Sequence, residues 1–184
     1  DNIKGNYPST TKSTMTTTTT TKSTTTKTTT VATLNTSKNI YWPSDKPCGT
    51  ITSAFGMRDD KIHKGIDIGY GSGKNVYAAT GGKVTNIRDI SSSYGRCIEI
   101  TTKMYNSGKE VTVLARYAHL NSVSVKNGQT VSAGQLIAIM GNSNSGKEGN
   151  KTTMAVHLHF EVLIDGKNVN PIDYVRPRSE LPKK

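Results

Sequence analysis

The sequence predicts an all-β domain that follows a disordered, threonine-rich tail. From about residue 41 to residue 176, short runs alternate apolar and polar residues and are separated by turns that contain glycine. No long segment shows the 3.6-residue period of an amphipathic helix, so we expect little helix. By contrast, residues 10–30 contain 15 threonines and no alternating apolar face. The chain therefore divides into a low-complexity linker (1–40), a folded domain (41–176) and a short basic tail (177–184).

The linker is expected to be solvated, because a Thr-Ser-Lys tract buries too little apolar surface to offset the entropy of ordering it. An O-glycosylated stalk is the alternative, in a host that performs that chemistry. A tether of this kind predicts that the domain belongs to a longer chain or hangs from a larger assembly, such as a phage particle.

The first strands of the domain are predicted from alternation and from the glycines that interrupt it. Residues 51–56, 75–79 and 82–87 have strand character, and Gly81-Gly82 forms a turn between the last two. Residues 96–104 and 110–120 flank Asn106-Ser107-Gly108, which predicts a β-hairpin between two long strands.

The later part of the domain follows the same pattern. Residues 125–128 (Val-Lys-Asn-Gly) predict a turn, and residues 135–141 form a dense apolar run that predicts a strand buried on both sides. Asp165-Gly166 predicts the next turn. Residues 171–174 (Pro-Ile-Asp-Tyr) are expected to close the domain.

Two cysteines, Cys48 and Cys97, permit one disulfide or two unpaired thiols, and the sequence leaves both readings open. A bridge between them would close a loop of about 50 residues and add about 4 kcal/mol in the chain-entropy model. Neither cysteine has the C-x-x-C spacing of a thiolate metal site, so a cysteine-ligated metal is not expected.

The chain is basic, with a formal charge of +11, and residues 41–184 hold 19 Lys and Arg against 12 Asp and Glu. A basic domain is drawn to polyanions. We expect no nucleic-acid partner, because the basic residues are scattered and no nucleic-acid-binding motif is present. An ordinary solvated surface explains the charge equally well. No apolar run approaches the ~20 residues that a membrane span requires.

Residues 156–162 read Val-His-Leu-His-Phe-Glu-Val and alternate strictly. This period predicts a half-buried strand with an apolar face and a chemical face. His157, His159 and Glu161 share the chemical face, and two imidazoles at i and i+2 are close enough to serve one site.

His63 and Asp67 lie four residues apart and are bracketed by glycines, which let the backbone bend so that both side chains face one point. Zinc accepts imidazole and carboxylate ligands, and a catalytic zinc site uses three protein ligands plus a water. The third ligand should come from the histidine strand, although the residues alone leave His157 and His159 equal. The fourth histidine, His119, would by itself be read as a packed strand residue.

The ordered motifs resemble those of the lysostaphin and LytM-type zinc endopeptidases. The resemblance rests on residues 63–67 (His-Lys-Gly-Ile-Asp), 117–120 (Tyr-Ala-His-Leu) and 157–161 (His-Leu-His-Phe-Glu). The lead-in at residues 55–58 and the segment at residues 131–137 are also similar. The resemblance covers about residues 47–175 and leaves the threonine-rich tail outside it.

The resemblance implies antiparallel sheets that form an open groove, with one Zn²⁺ on its floor. It implies that His63, Asp67 and His159 are the metal ligands and that His119 and His157 are catalytic histidines. The implied activity is metal-assisted hydrolysis of peptide cross-links or stem peptides of bacterial peptidoglycan, with proton transfer by an unligated imidazole. The implied location is extracellular or in the cell wall, for a secreted or virion-associated protein. The anionic polymers of a bacterial wall would suit the positive charge of this chain.

Three points stay open from the sequence. A non-catalytic wall-binding or regulatory module on the same fold is the alternative to an enzyme, and a structural metal site is another. Glu161 could orient His159 from behind, or it could be an exposed carboxylate on the strand face. The connection at residues 142–155 is longer than is usual in the family, and we expect it to border the groove.

Overall fold

The structure is a computed structural model, and it describes residues 39–46, 51–58, 60–69, 74–88, 93–143 and 155–183. Residues 36–184 form a compact unit. The threonine tract, Cys48 and most of the connection before the histidine strand lie outside the described residues. The linker therefore stays a prediction, and both readings of the cysteine pair stay open, with Cys97 itself buried.

The prediction of an all-β domain is confirmed. The described residues contain two short 3-10 helices, Pro171–Asp173 and Arg178–Glu180, and none of their helices is long and apolar enough to cross a membrane. The strands are β1 (Ile40–Tyr41), β2 (Ile51–Ser53), β3 (Gly56–Arg58), β4 (Lys61–His63), β5 (Ile66–Gly69), β6 (Asn75–Tyr77), β7 (Gly82–Arg88), β8 (Cys97–Asn106), β9 (Lys109–Ala118), β10 (Leu120–Val123), β11 (Thr130–Val131), β12 (Leu136–Met140), β13 (His157–Ile164), β14 (Lys167–Val169) and β15 (Val175–Arg176).

The histidine strand β13 lies inside the main antiparallel sheet, whose order is β11-β7-β8-β9-β13-β5-β2, with β14 also paired to β13. Leu158, Phe160 and Val162 are fully buried on one face of β13, as the alternation predicts. The prediction that this strand is half-buried is wrong, because His157, His159 and Glu161 on the opposite face are buried as well. The polar face is covered by side chains from other segments, namely His63, His119, Tyr94 and Arg116.

Three smaller groups of strands surround this sheet. Strands β10, β12 and β6 form a second antiparallel sheet, and β3 pairs with β4 in a separate ribbon. The short β1 and β15 pair in parallel and bring the two ends of the domain together. Beside them, the buried Trp42 packs into the core and donates its indole N–H to Ser44 Oγ at 2.7 Å. This hydrogen bond satisfies the one polar group of the largest core side chain.

The predicted hairpin between the two longest strands is confirmed. Asn106 pairs with Lys109, and the two residues between them, Ser107 and Gly108, have φ angles of 50° and 80°. Positive φ at both central positions is the type I′ geometry that matches the twist of the flanking strands. Asp165 and Gly166 make the same kind of turn between β13 and β14, with φ angles of 48° and 80°.

One strand prediction needs correction. The strand expected over residues 110–120 is interrupted at His119, whose φ of 61° breaks the extended backbone between β9 and β10. Alternation predicts which side chains share a face and does not reveal such a local change in φ. The predicted burial of the run at 135–141 on both sides holds for the interior of β12, where Ile137, Ala138 and Met140 are buried, whereas Leu136 at the start of the strand is 44% exposed.

An open groove of about 950 Å³ runs between the two antiparallel sheets. Thr52 of β2 and Asp67 of β5 line one side, and Met140 of β12 lines the other. His157 also lines it, so the groove reaches the chemical face of β13. Asn142 and Ala155, at the two described ends of the connection at residues 142–155, border the groove, and residues 144–154 lie outside the described residues.

Gly65 allows the crossover between β4 and β5 to lie against the backbone of β13. A Cβ placed on Gly65 would stand 2.3 Å from the Phe160 carbonyl oxygen and 2.9 Å from Glu161 Cγ. We expect Gly65→Ala to lower the free energy of unfolding by about 1–3 kcal/mol, measured by chemical denaturation, because a backbone carbonyl cannot move aside cheaply. Gly81→Ala is the matched control, since its nearest neighbours are at 3.5 Å. Equal unfolding energies for the two variants would contradict this role of Gly65.

Candidate metal centre

The register of the main sheet brings Asp67 and His159 together. Asp67 lies directly opposite His159 across β5 and β13, and Ala118 at the end of β9 lies opposite His159 on the other side. The oxygen Oδ1 of Asp67 is 2.9 Å from Nδ1 of His159. The histidine two residues earlier is farther away, because Nε2 of His157 is 4.0 Å from the same oxygen.

His63 reaches the same point from the ribbon formed by β3 and β4, where it pairs with Gly56. Its Nε2 atom is 3.0 Å from His159 Nδ1 and 3.2 Å from Asp67 Oδ1. Three potential ligand atoms on three different strands therefore form a small triangle. Within the described residues, these three side chains are the group that could hold a metal ion.

The atoms of these side chains that point away from the triangle each have a partner. Nδ1 of His63 donates to the carbonyl oxygen of Ala54 at 2.7 Å. Oδ2 of Asp67 accepts from the Arg58 guanidinium at 2.9 Å, and the same guanidinium contacts the His63 ring. Nε2 of His159 donates to Oε1 of Glu161 at 3.0 Å. Outer partners of this kind fix the orientation and tautomer of metal-ligating side chains.

Opposite electrostatic effects act on the two central groups. Burial alone would raise the pKa of Asp67, but hydrogen bonds from His159 and Arg58 lower the pKa well below its usual range. Burial would lower the pKa of His159, whereas hydrogen bonds to Asp67 and Glu161 raise it above its usual value. The centre therefore holds a carboxylate that is ionised over the whole physiological range, in a site with little access to solvent.

Glu161 orients His159, and the alternative of an exposed carboxylate is wrong. Its side chain is fully buried and accepts four hydrogen bonds. Besides His159, the donors are Tyr94 Oη at 2.8 Å, Arg116 Nη1 at 2.5 Å and Asn168 Nδ2 at 3.0 Å. Sequence reasoning missed Tyr94, Arg116 and Asn168, which come from distant segments and belong to no motif.

His119 and His157 lie next to the triangle, with their ring centroids 4.7 Å apart. Nδ1 of His119 donates to the carbonyl oxygen of Ser143 at 2.7 Å, and Nδ1 of His157 donates to the carbonyl oxygen of Ala155 at 2.8 Å. With Nδ1 used as a donor, a neutral imidazole presents Nε2 as a proton acceptor. The positive φ of His119 turns its side chain toward this cluster at the end of β9.

Burial keeps the His119 ring neutral. It lowers the pKa of His119 to about 4, and the neighbouring His157 and His159 rings act in the same direction. A neutral ring beside an open groove can accept a proton from a water or a substrate. The structure thus places all five residues singled out in the sequence in one cluster. It adds Arg58, which the sequence marked only as part of a lead-in segment.

Curated proteins with similar sequences include two bacterial proteins. The chain is 32% identical over 142 residues to the uncharacterized lipoprotein YgeR of Escherichia coli, covering 77% of this chain and 49% of that protein. It is 34% identical over 137 residues to the murein hydrolase activator NlpD of Salmonella dublin, covering 74% of this chain and 31% of that protein. The chain therefore spans about half or less of the length of these relatives.

Solved structures agree with the sequence comparison. A zinc-containing peptidase from Vibrio cholerae superimposes with a TM-score of 0.54 at 30% identity, over 73% of this chain and 40% of that one. The antimicrobial peptidase lysostaphin from Staphylococcus simulans shares the fold, with a TM-score of 0.52 at 24% identity over 74% of this chain and 49% of that one. At 24% identity, the likeness to lysostaphin shows a shared fold.

The family comparison covers the whole centre. The model of peptidase family M23 matches residues 61–171, which include the three side chains of the triangle and both adjacent histidines. This match extends over more than half of the chain, and it begins and ends within the described domain. The chain belongs to peptidase family M23.

Proposed function

We propose that this domain is a zinc-dependent endopeptidase that hydrolyses peptide cross-links or stem peptides of bacterial peptidoglycan. The observation that carries the proposal is the triangle of His63 Nε2, Asp67 Oδ1 and His159 Nδ1, whose sides measure 2.9–3.2 Å. It lies at the groove, beside two histidines whose Nδ1 atoms are already bound to carbonyl oxygens.

The donor set and its dimensions fit one zinc ion. Ligand atoms of a tetrahedral zinc site stand about 3.3 Å apart, given bond lengths of about 2.0–2.1 Å. The three sides of the triangle are within a few tenths of an ångström of that separation. Three protein ligands leave one position for a water or a substrate, as in catalytic rather than structural zinc sites. When bound, zinc supplies polarisation of the scissile carbonyl and activation of a water.

The proton transfers fall to this chain's own histidines. We propose that His157 and His119, through their Nε2 atoms, accept the proton of the attacking water and return it to the leaving amine. The two carboxylates close to the triangle are already engaged and do not accept this proton. Asp67 is a proposed ligand, and Glu161 accepts four hydrogen bonds.

The decisive experiment measures peptide release from purified cell walls by the protein, with and without a zinc chelator. We expect cleavage that the chelator abolishes and that added Zn²⁺ restores, because removal of the metal leaves no group to polarise the carbonyl. Walls with several cross-link chemistries, analysed by mass spectrometry, would identify the bond that is cut. Absence of chelator-sensitive cleavage on every wall type would refute the proposed activity.

A regulatory module is the second candidate, and one observation favours it: a relative that is 34% identical is named a murein hydrolase activator. An activator would stimulate a separate wall hydrolase and would not cut walls alone. The two candidates differ in their response to His157→Ala. We expect this variant to lose wall cleavage; an undiminished stimulation of a wall hydrolase would favour the activator.

The proposed site of action is the cell envelope, outside the cytoplasm. A relative named as a lipoprotein and another named for murein hydrolase activation favour this location over a virion. The positive charge of residues 41–184, with 19 Lys and Arg against 12 Asp and Glu, would favour contact with anionic wall polymers.

A further inference from the structure

A row of alternating charges crosses the main sheet and ends behind the metal centre. Arg116 of β9 lies directly opposite Glu99 of β8 on one side and Glu161 of β13 on the other. Its Nε atom is 2.9 Å from Glu99 Oε1, and its Nη1 atom is 2.5 Å from Glu161 Oε2. Glu99 and Glu161 are both buried. The guanidinium is thus clamped between two carboxylates in the same row of cross-strand neighbours.

The hydrogen bonds of Glu161 fix the orientation of the His159 ring. Oε2 accepts from Arg116 and Asn168, and Oε1 accepts from Tyr94 and from Nε2 of His159. A carboxylate paired with a guanidinium can only accept, so Nε2 of His159 must be the donor. The other ring nitrogen, Nδ1, faces Asp67 and His63, and it is therefore the atom that would bind a metal in the triangle.

We propose that Arg116 is a positioning residue of the metal centre, which acts on His159 through Glu161. Glu99 holds the guanidinium from the other side, and Arg116 holds the Glu161 carboxylate in the orientation that accepts the Nε2 proton of His159. The pair thereby keeps Nδ1 of His159 aimed into the triangle, where it would bind the metal. This inference rests on the proposed function, because Arg116 can position a zinc ligand only if the triangle binds zinc.

The alternative is a purely structural ion pair that stabilises the sheet. Arg116 and Glu99 connect β8 with β9, and a buried pair contributes to packing wherever it lies. Stability alone therefore cannot separate the two roles. Zinc affinity and the hydrogen bond of His159 Nε2 can separate them, because a structural pair remote from the metal has no reason to change either.

The experiment compares Arg116→Gln, Glu161→Gln and the double variant. Zinc affinity of the folded proteins is measured by competition with a chromophoric chelator, and the hydrogen bond of His159 Nε2 is followed by ¹⁵N NMR of the imidazoles in the zinc-loaded proteins. We expect Glu161→Gln to weaken zinc binding by about 10–100-fold and Arg116→Gln by about 10-fold. The double variant should lose no more than Glu161→Gln, because Arg116 acts through that carboxylate. Both single variants should shift the Nε2 resonance of His159, because they weaken its hydrogen bond to residue 161.

Arg88→Gln is the matched control. Arg88 pairs with Glu99 at 3.2 Å from the more exposed end of the row, and its contacts include neither Glu161 nor His159. We expect its zinc affinity to equal that of the original protein. Where Arg116→Gln lowers the thermal unfolding temperature too far for titration, Tyr94→Phe replaces it; this variant removes one donor to Glu161 and should weaken zinc binding several-fold.

Two results would overturn the inference. One is an unchanged zinc affinity and an unchanged His159 Nε2 resonance in Arg116→Gln or Tyr94→Phe. The other is a double variant whose loss equals the product of the two single losses, which would mean that the residues act independently. Failure of the proposed function is a separate result, because the original protein would then bind no zinc or cut no wall. An original protein that binds zinc and cuts walls, with variants of normal affinity, would refute only the role of Arg116.

Discussion

Asp67→Ala is expected to lower the zinc affinity of the protein by more than about 100-fold and to reduce wall cleavage to background, because changes behind a ligand alone cost about 10–100-fold. The carboxylate lies at the middle of the centre: Oδ1 contacts His159 and His63, and Oδ2 holds Arg58. Its removal also leaves the Arg58 cation beside two imidazoles, without the negative charge that compensates it. Metal content by elemental analysis and affinity by chelator competition measure the first effect, and peptide release measures the second.

Glu110→Ala is a suitable control for the loss of a carboxylate. Glu110 pairs with Lys103 on the exposed end of the β8–β9 hairpin, and both side chains are more than half exposed. We expect its zinc affinity and cleavage rate to equal those of the original protein. If Asp67→Ala took up zinc as tightly as this control, the proposed ligand set would be wrong.

His157→Ala and His119→Ala are expected to separate catalysis from metal binding. Each should reduce the rate of wall cleavage by about 10²–10⁴-fold, the usual contribution of a positioned acid or base. Zinc content should remain at one ion per domain, since neither ring lies in the triangle: His157 Nε2 is 4.0 Å from Asp67 Oδ1, and the His119 ring centroid is 5.9 Å from that of His159. Cleavage kinetics and elemental analysis of the same samples test both halves.

The outcomes of these two variants also discriminate among the functions considered. His159→Ala is the reference, because it should lose zinc and cleavage together. A structural metal site predicts that His119→Ala cleaves, binds zinc and unfolds like the original protein. Loss of zinc in His157→Ala would instead move that histidine into the ligand set. Only retained zinc with lost cleavage supports the proposed division of roles.

Local chemistry in the sequence determined the class of the fold and the residue types of the centre. The strict alternation of residues 156–162 is a local property of an extended backbone, so it predicts which side chains share a face of β13. The turns at Ser107-Gly108 and Asp165-Gly166 follow from residues that tolerate positive φ. The positions of His63 and Asp67 beside glycines likewise indicated a bend, although Gly65 is needed chiefly for the close approach of the β13 backbone.

Only the tertiary structure decided which histidine meets Asp67 and what lies behind the ligands. His157 and His159 have the same local pattern, and the register between β5 and β13 alone places His159 opposite Asp67. The burial of Glu161 depends in the same way on Arg116 and Tyr94, which reach it from β9 and from the segment before β8. Register and burial arise from pairing between strands that are far apart in the chain, and a period of two residues within one strand carries no information about its neighbours.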